Sequence, residues 1–442
     1  MKITKLIKIT NKKYNIITLG CQMNTSDSER LSAWLKKSGF INEPDFKKAD
    51  VVVFNTCGIR QTAEDRVYGL VNQVNKFNPL AKIVISGCLS KRQDVKKRLI
   101  GRADIFLPIN ELIKLPGILD GDEYNPSLSL DEVRIKNGEK YLDIKPDHNN
   151  KFSACVPIGN GCNNFCSYCV VPYARGREVY RSASDIIKEV NDLIVKGYKE
   201  ITLLAQNVNS YNDEKYDFPK LLKQLIKIPG KFWLRFSSSH PKDMSDDLIK
   251  VLGSSNKVCH HLHVAVQSGD DKILERMNRK YTVKHFENLI KKVRASKKGI
   301  AVTTDVIVGF PGETKAQFIN TVKLFERQKF TMAYISKYSP RPGTVSSKMK
   351  DIVSSDEKKR REQVLTLILR ATALKDSKKY LGKKIEVLID GVNKRGKYYG
   401  KTSTYKTVLI NAEKNDKLIG NFAFAKINSI SDFGLEGELV LK

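Results

Sequence analysis

Cys162, Cys166 and Cys169 stand at Cys-x3-Cys-x2-Cys spacing in the short run from Gly161 to Cys169. Three thiolates can each hold one iron of a four-iron cubane, which leaves the fourth iron without a protein ligand and open to a small molecule. A closed structural cluster would take a fourth cysteine. A zinc site would set a Cys-x2-Cys pair against a second pair or against histidines at matching spacing, and no second pair follows. The spacing therefore reads as an open iron–sulfur site.

Three further cysteines each end an apolar run. Tyr14 to Leu19 leads into Gly20 and Cys21, Ala49 to Thr56 into Cys57, and Lys82 to Gly87 into Cys88. After the first, Leu31, Trp34 and Leu35 recur at helical spacing, with Ser26 or Asp27 as candidate caps. The pattern is strand, cysteine, helix, repeated, which predicts a parallel sheet buried on both faces. In such a sheet the carboxyl ends of the strands line the binding crevice, so Cys21, Cys57 and Cys88 are expected to converge on a second cluster site. Any one of them alone would read as a buried apolar thiol.

The stretch 131–151 is polar and aperiodic and reads as a linker. Beyond it the run Ala154 to Ile158 precedes the three-cysteine loop, and strand candidates follow at 200–204, 232–237, 261–266, 303–308 and 332–337 with helical segments between them. Six strands alternating with helices predict a partial (βα)6 TIM-like barrel, whose site lies at the carboxyl edge. The segments at that edge are polar: Gln206 to Tyr211, Ser237 to Pro241, Gln267 to Asp270, Gly309 to Glu313 and Ser339 to Thr344. His261 and His263 share one face of a strand and His260 the other, so the trio reads as strand residues beside a pocket and not as metal ligands. Cys155 and Cys259 lack partners at ligand spacing and read as buried thiols.

A helix over 355–379 carries the basic run Lys358, Lys359, Arg360, Arg361 near its start. From Gly382 the pattern changes to short strands with glycine turns, which predicts a small β-barrel. Its Lys394, Arg395, Lys397, Lys401 and Lys406, with Tyr398, Tyr399 and Tyr405, suit a nucleic-acid backbone with base stacking. The whole chain of 442 residues carries a formal net charge of +30, which favours a polyanionic partner. Lysine pairs such as Lys36–Lys37 and Lys47–Lys48 also suit plain solvated faces. Eight cysteines, with no apolar leader and no apolar run long enough to span a bilayer, predict a soluble protein of the reducing cytoplasm.

The three-cysteine loop resembles that of the radical S-adenosylmethionine (SAM) superfamily, and Gly20 to Asn24, Asn55 to Arg60 and Ser86 to Cys88 resemble the cysteine motifs of its methylthiotransferase family. Gln22, Met23, Asn24 and the Ile59–Arg60 pair match the branch called MiaB, the tRNA-2-methylthio-N6-dimethylallyladenosine synthases. The stretch Val170 to Glu178 also resembles the family, which usually has Thr where this chain has Ala174. The resemblance implies two 4Fe-4S clusters, one on Cys162, Cys166 and Cys169 and an auxiliary one on Cys21, Cys57 and Cys88. It implies SAM bound near Tyr168, Asn207, Ser237, Gln267 and Gly309, and a terminal TRAM-like domain that binds tRNA at the anticodon stem-loop. Further implications are an electron donor such as flavodoxin or ferredoxin, a monomeric enzyme, and stretches 12–135 (amino-terminal methylthiotransferase), 148–378 (radical SAM) and 379–442 (TRAM-like). The implied reaction adds a methylthio group to the adenine ring of N6-isopentenyl-adenosine just 3′ of the anticodon. The alternatives are the sister branches, which act on threonylcarbamoyl-adenosine or on a ribosomal-protein aspartate, and an RNA-binding protein with purely structural clusters.

Overall fold

The computed structural model describes residues 11–59, 61–121, 141–413 and 415–440. Arg60, residues 1–10 and residues 131–140 of the expected linker lie outside the described residues. The chain divides into two compact units: Met1–Asn149 with Gly159–Arg181 and Arg341–Ser347, and Asn150–Ile158 with Ser182–Pro340 and Lys348–Lys442.

The first unit is built on a five-stranded parallel sheet. In chain order it runs β1 (Lys13–Thr18), α1 (Gln22–Lys37), β2 (Ile41–Asn42), β3 (Val51–Thr56), α2 (Gln61–Phe77), β4 (Lys82–Gly87), α3 (Gln93–Arg98), β5 (Ile105–Phe106) and α4 (Leu115–Leu119). The strand order is β2-β1-β3-β4-β5. Alternation along β3 shows why both faces are covered: Val51 and Val53 join Leu31 and Leu35 of α1 in one core, and Val52 and Phe54 join Val67 and Val71 of α2 in the other. The two-residue strands β2 and β5 at the sheet edges carry too little pattern to be seen in the sequence. After β6 (Ser153–Pro157), which belongs to the second unit, an antiparallel ribbon of β7 (Gly159–Asn160) and β8 (Val179–Tyr180) closes the three-cysteine loop, with helix α5 (Val171–Arg175) inside it.

In the second unit β6, β9 (Glu200–Leu204) and β10 (Trp233–Phe236) pair in parallel, as do β11 (His261–His263), β12 (Ala301–Val308) and β13 (Met332–Lys337). Parallel bridges at Leu234–Val258 and Ser239–Val264 join the two sets, giving six strands in sequential order. Between them run α6 (Ala183–Val195), α7 (Phe218–Lys227), α8 (Asp246–Ser254), α9 (Asp271–Arg276), α10 (Val283–Ser296) and α11 (Lys315–Gln328). Each begins at a side chain that accepts a backbone N–H: Ser182, Asp217, Ser245, Asp270, Thr282 and Thr314. This is the partial (βα)6 barrel expected from the sequence. The long helix α12 (Ser355–Ser377) follows, and its basic run is only half solvated: Arg361 is 2% exposed, with Nη1 2.6 Å from Glu313.

The terminal strands β14 (Lys384–Val392), β15 (Tyr398–Lys401), β16 (Thr407–Asn411), β17 (Phe422–Ile430) and β18 (Gly434–Val440) form the expected closed barrel, ordered β14-β15-β16-β18-β17. It packs on residues at the amino ends of the central strands. The ring of Trp233 meets that of Phe422 edge-on at 4.9 Å, Cys259 lies in one core cluster with Trp233 and Leu388, and the Arg235 guanidinium donates to Thr402 O at 2.7 Å and Ser403 O at 3.1 Å. Cys259 is thus a buried thiol, whereas Cys155, on β6 at the edge of its sheet, is only half-buried. Among the described residues no helix is long and apolar enough to cross a membrane.

Candidate cofactor and catalytic site

Cys21, Cys57 and Cys88 follow the carboxyl ends of β1, β3 and β4, three neighbouring strands. The strand order reverses between β1 and β3, and α1 and α2 cover opposite faces, so the crevice of an open parallel sheet opens there. Two glycines measure the approach. A Cβ on Gly20 would lie 2.8 Å from the Cβ of Cys57, and one on Gly58 would lie 3.2 Å from the Cβ of Cys88 and 3.4 Å from Val170 Cγ2. At Gly87 the backbone has φ +78°, and a Cβ would stand 2.3 Å from Thr56 O, so only glycine turns the chain into Cys88.

A buried amide pair holds this edge together. Asn24 Nδ2 donates to Asn55 Oδ1 and Thr56 O, both at 2.9 Å, while Asn55 Nδ2 donates to Asn24 O at 2.8 Å and Ser28 Oγ at 3.0 Å. The Cys21 thiol reaches Asn24 Oδ1 at 3.3 Å. Helix α1 starts at Gln22 with Cys21 at its N-cap. Ser26 and Asp27, the expected caps, lie instead inside the helix and are 0% and 1% exposed, because both are engaged in buried polar contacts: Ser26 accepts from Arg30 at 2.7 Å and Asp27 pairs with Arg175.

The three-cysteine loop is clamped at its base. Cys162 N donates to Gly176 O at 3.2 Å, and Asn163 and Glu178 exchange backbone-to-side-chain bonds at 3.2 Å each way. Gly161, at φ +86°, has no room for a side chain, since a Cβ would lie 2.0 Å from Arg177 O. The segment after β13 returns to this unit: Ser346 N donates to Ser167 O at 2.8 Å, and Arg341 donates to Ile59 O at 2.8 Å and Gln61 at 2.5 Å. Arg341 and Arg175 hold the loops but offer no spacing signal in the sequence.

Burial pushes up the thiols of Cys162 and Cys169. After burial, the Cys166, Cys162 and Cys88 thiols raise Cys169 further, and Gly58 packs against both Cys88 and Val170, the residue after Cys169. Bound iron reverses that order, since a metal ion holds its cysteines as thiolates. Among the described residues no three His, Cys, Asp or Glu side chains are grouped to hold a single metal ion. Cubane ligands each bind a different iron and need not meet at one point.

In the second unit, four consecutive strands end at the residues read as SAM contacts. Asn207 lies beyond β9, Ser237 directly after β10, Gln267 beyond β11 and Gly309 directly after β12. Asn207 donates to Asp243 at 2.7 Å, yet its Oδ1 is buried without a partner, as are Gln267 Oε1 and Ser239 Oγ. Unmatched buried polar atoms are costly and mark a place for a polar ligand. Gln267 and Ser238 also hold φ at +68° and +65°, the kind of backbone strain that gathers at ligand sites. Ser239 lies in the polar edge segment 237–241 expected to line the pocket, although Ser237, half-buried at the same edge, was the residue singled out there. Tyr168 is half-buried in the cysteine loop. His261 and His263 both bond Thr303 Oγ1 at 3.0 Å, on one side of their strand.

The basic residues of the terminal barrel fall into two groups. Lys394 and Arg395 are exposed in the turn between β14 and β15. Lys397 pairs with Glu436, Lys401 with Asp390 at 3.3 Å, and Lys406, 7% exposed, with Asp376 at 3.1 Å. Tyr398 points into the barrel core and is 1% exposed.

Residues 13–107 match a family described as uncharacterized protein family UPF0004, residues 156–325 the radical SAM superfamily and residues 378–440 the TRAM domain. The fold and the cysteine loop thus define a radical SAM enzyme, which uses an iron–sulfur cluster and SAM. A radical SAM methyltransferase from Kitasatospora setae, TsrM, solved with cobalamin and a [4Fe-4S] cluster, shares the fold with TM-score 0.57 at 16% identity over 76% of this chain and 77% of that one. A relative from Thermoanaerobacter sp. (strain X514) is 44% identical over 99% of this chain and 96% of its own length. One from Carboxydothermus hydrogenoformans is 40% identical over 98% and 100%. Both bear the name tRNA-2-methylthio-N(6)-dimethylallyladenosine synthase, and this chain belongs to that family.

Proposed function

We propose that this chain adds a methylthio group to the adenine ring, at C2, of N6-isopentenyl-adenosine just 3′ of the anticodon in tRNA. The observation that carries the reading is the pair of cysteine sets, Cys162, Cys166 and Cys169 on the loop and Cys21, Cys57 and Cys88 on the sheet edge, which adjoin where Gly58 packs against both Cys88 and Val170, the residue after Cys169. Each set takes a 4Fe-4S cluster. When bound, the loop cluster with SAM supplies a hydrogen-abstracting radical, and the sheet-edge cluster supplies sulfur for methylation and transfer.

The chain's own part is to bind, orient and exclude water. Asn207, Ser237, Ser239, Gln267 and Gly309 hold the polar groups of SAM, and the unmatched atoms at three of these positions support that role. Tyr168 flanks the adenine. Of the four cations expected to meet tRNA, Lys394 and Arg395 draw in the anticodon stem-loop, Lys397 and Lys401 adding less because each is paired with a carboxylate, and a protein such as flavodoxin or ferredoxin delivers the electron. The working boundaries are 12–135, 148–378 and 379–442, in a monomeric cytoplasmic enzyme. The relatives' shared name favours the isopentenyl substrate over threonylcarbamoyl-adenosine or a ribosomal aspartate, and the strained polar strand edge favours an enzyme over an RNA-binding protein with structural clusters.

The test is product analysis with isopentenylated tRNA, SAM and reductant. Replacing Cys21, Cys57 and Cys88 together by Ala is expected to leave deoxyadenosine formation and abolish methylthio-adenosine. Full methylthiolation by that variant would overturn the reading.

A further inference from the structure

A buried polar bridge joins helix α1 of the sheet to the end of the three-cysteine loop. Arg175 sends one guanidinium nitrogen to Asp27 Oδ2 at 2.7 Å and another to Asn160 Oδ1 at 3.0 Å. Asp27 accepts the Tyr141 phenol on its other oxygen. Arg175, Asp27 and Tyr141 are 6%, 1% and 5% exposed. Asp27 follows Cys21 on α1, and Arg175 follows Cys169 through α5, so the bridge ties together the two chain segments that carry the cysteine sets.

A buried ion pair is a weak source of stability, because desolvation offsets most of its attraction, and apolar side chains would fill the space as well. An arginine fork adds direction. Its planar donors fix the partner in rotation as well as distance, which a point charge or an apolar contact does not.

We propose that Asp27 and Arg175 are positioning residues that set the spacing of the two cluster sites, and so couple radical formation to methylthio transfer. The inference rests on the two-cluster reading above. The test uses the full chain reconstituted with iron and sulfide. Asp27→Asn alone leaves a buried unpaired guanidinium, so the double variant Asp27→Asn with Arg175→Met, which buries no ion, is made beside it. Arg175→Lys keeps the charge and loses the fork.

The double variant and Arg175→Lys are expected to hold wild-type iron and to cleave SAM, while methylthio-adenosine formed per deoxyadenosine falls on the order of tenfold to a hundredfold. The magnetic coupling between the two reduced clusters, read by electron paramagnetic resonance, is expected to change. In the metal-free variants, amide hydrogen exchange over 162–175 is expected to rise. A product ratio and coupling equal to wild type would overturn the proposal. So would a ratio that falls only in step with lost iron, which would make the bridge a stabilising contact and nothing more. If the wild type itself holds iron for one cluster only, the two-cluster reading fails and takes this proposal with it; the iron count shows this before any variant is made.

Discussion

The phenol ring of Tyr405 stacks on the imidazole of His261, with centroids 5.0 Å apart and planes 22° from parallel. The Arg235 guanidinium lies 4.9 Å from the same ring and is itself paired with Glu200 at 2.5 Å. One tyrosine of the terminal barrel therefore covers a buried charged group of the central barrel. Tyr405→Ala is expected to lower stability by about 1–3 kcal/mol, because it removes the stack and the cation–π interaction and uncovers the ion pair. Urea unfolding followed by circular dichroism checks this, and an unchanged midpoint would mean that the stack carries no weight.

Acid is expected to weaken the fold well above the carboxylate range. Burial, then Arg279 and Lys242, depress His240 to about 2, and burial, then Arg235 and His263, hold His261 well below its usual range. Both groups stay neutral in the fold, while in the unfolded chain they take up protons below about pH 6.5. Their contribution is thus fully present above that pH and is lost as pH falls, about 2 kcal/mol per histidine by pH 5. His261→Asn is expected to remove part of the loss between pH 7 and 5, with His240 and His260, which burial and Lys297 also lower, accounting for the remainder. An unaltered slope would contradict the assignment.

RNA affinity is expected to separate the exposed from the paired cations. Replacing Lys394 and Arg395 by Ala should flatten the dependence of log affinity on log salt by about 2, close to one for each phosphate that is no longer neutralised. Lys401→Ala removes a partner of Asp390, so its effect should fall on stability more than on the salt slope. Filter binding with isopentenylated tRNA at several salt concentrations distinguishes the two, and equal slopes in both variants would contradict the grouping.

Asn24→Ala leaves Asn55 Oδ1 without its donor and takes from Thr56 O one of its two, the Cys88 N–H remaining, beside Cys57. The expected cost is about 1–3 kcal/mol of stability, together with roughly 10–100-fold weaker iron binding at the sheet-edge cysteines. Iron titration in a Cys162, Cys166, Cys169 triple-alanine background isolates that site. Iron binding as tight as in the same background with Asn24 intact would show that the amide pair is not part of its support.

Much of this architecture was legible in the chain itself. Continuous apolar runs, each ending in cysteine and followed by a helical period, specify a parallel sheet with its thiols at one edge, because a strand buried on both faces allows no polar alternation. Alternating strand and helix signals likewise specified the partial barrel, and glycine-punctuated short strands the terminal one. Other features belong to the tertiary structure alone. Asp27 looked like a helix cap because caps are local, and its engagement with Arg175, far along the chain, has no periodicity to announce it. Tyr398, Tyr405, Lys401 and Lys406 looked like an RNA-binding face, since composition counts aromatic and basic residues without their direction. The pleat turns Tyr398 into the core, the neighbouring barrel claims Tyr405, and nearby carboxylates claim the two lysines. Local patterns fix the elements; which side chains meet between elements depends on how those elements pack, and that is where the buried bridges and the unmatched polar atoms of the strand edge arise.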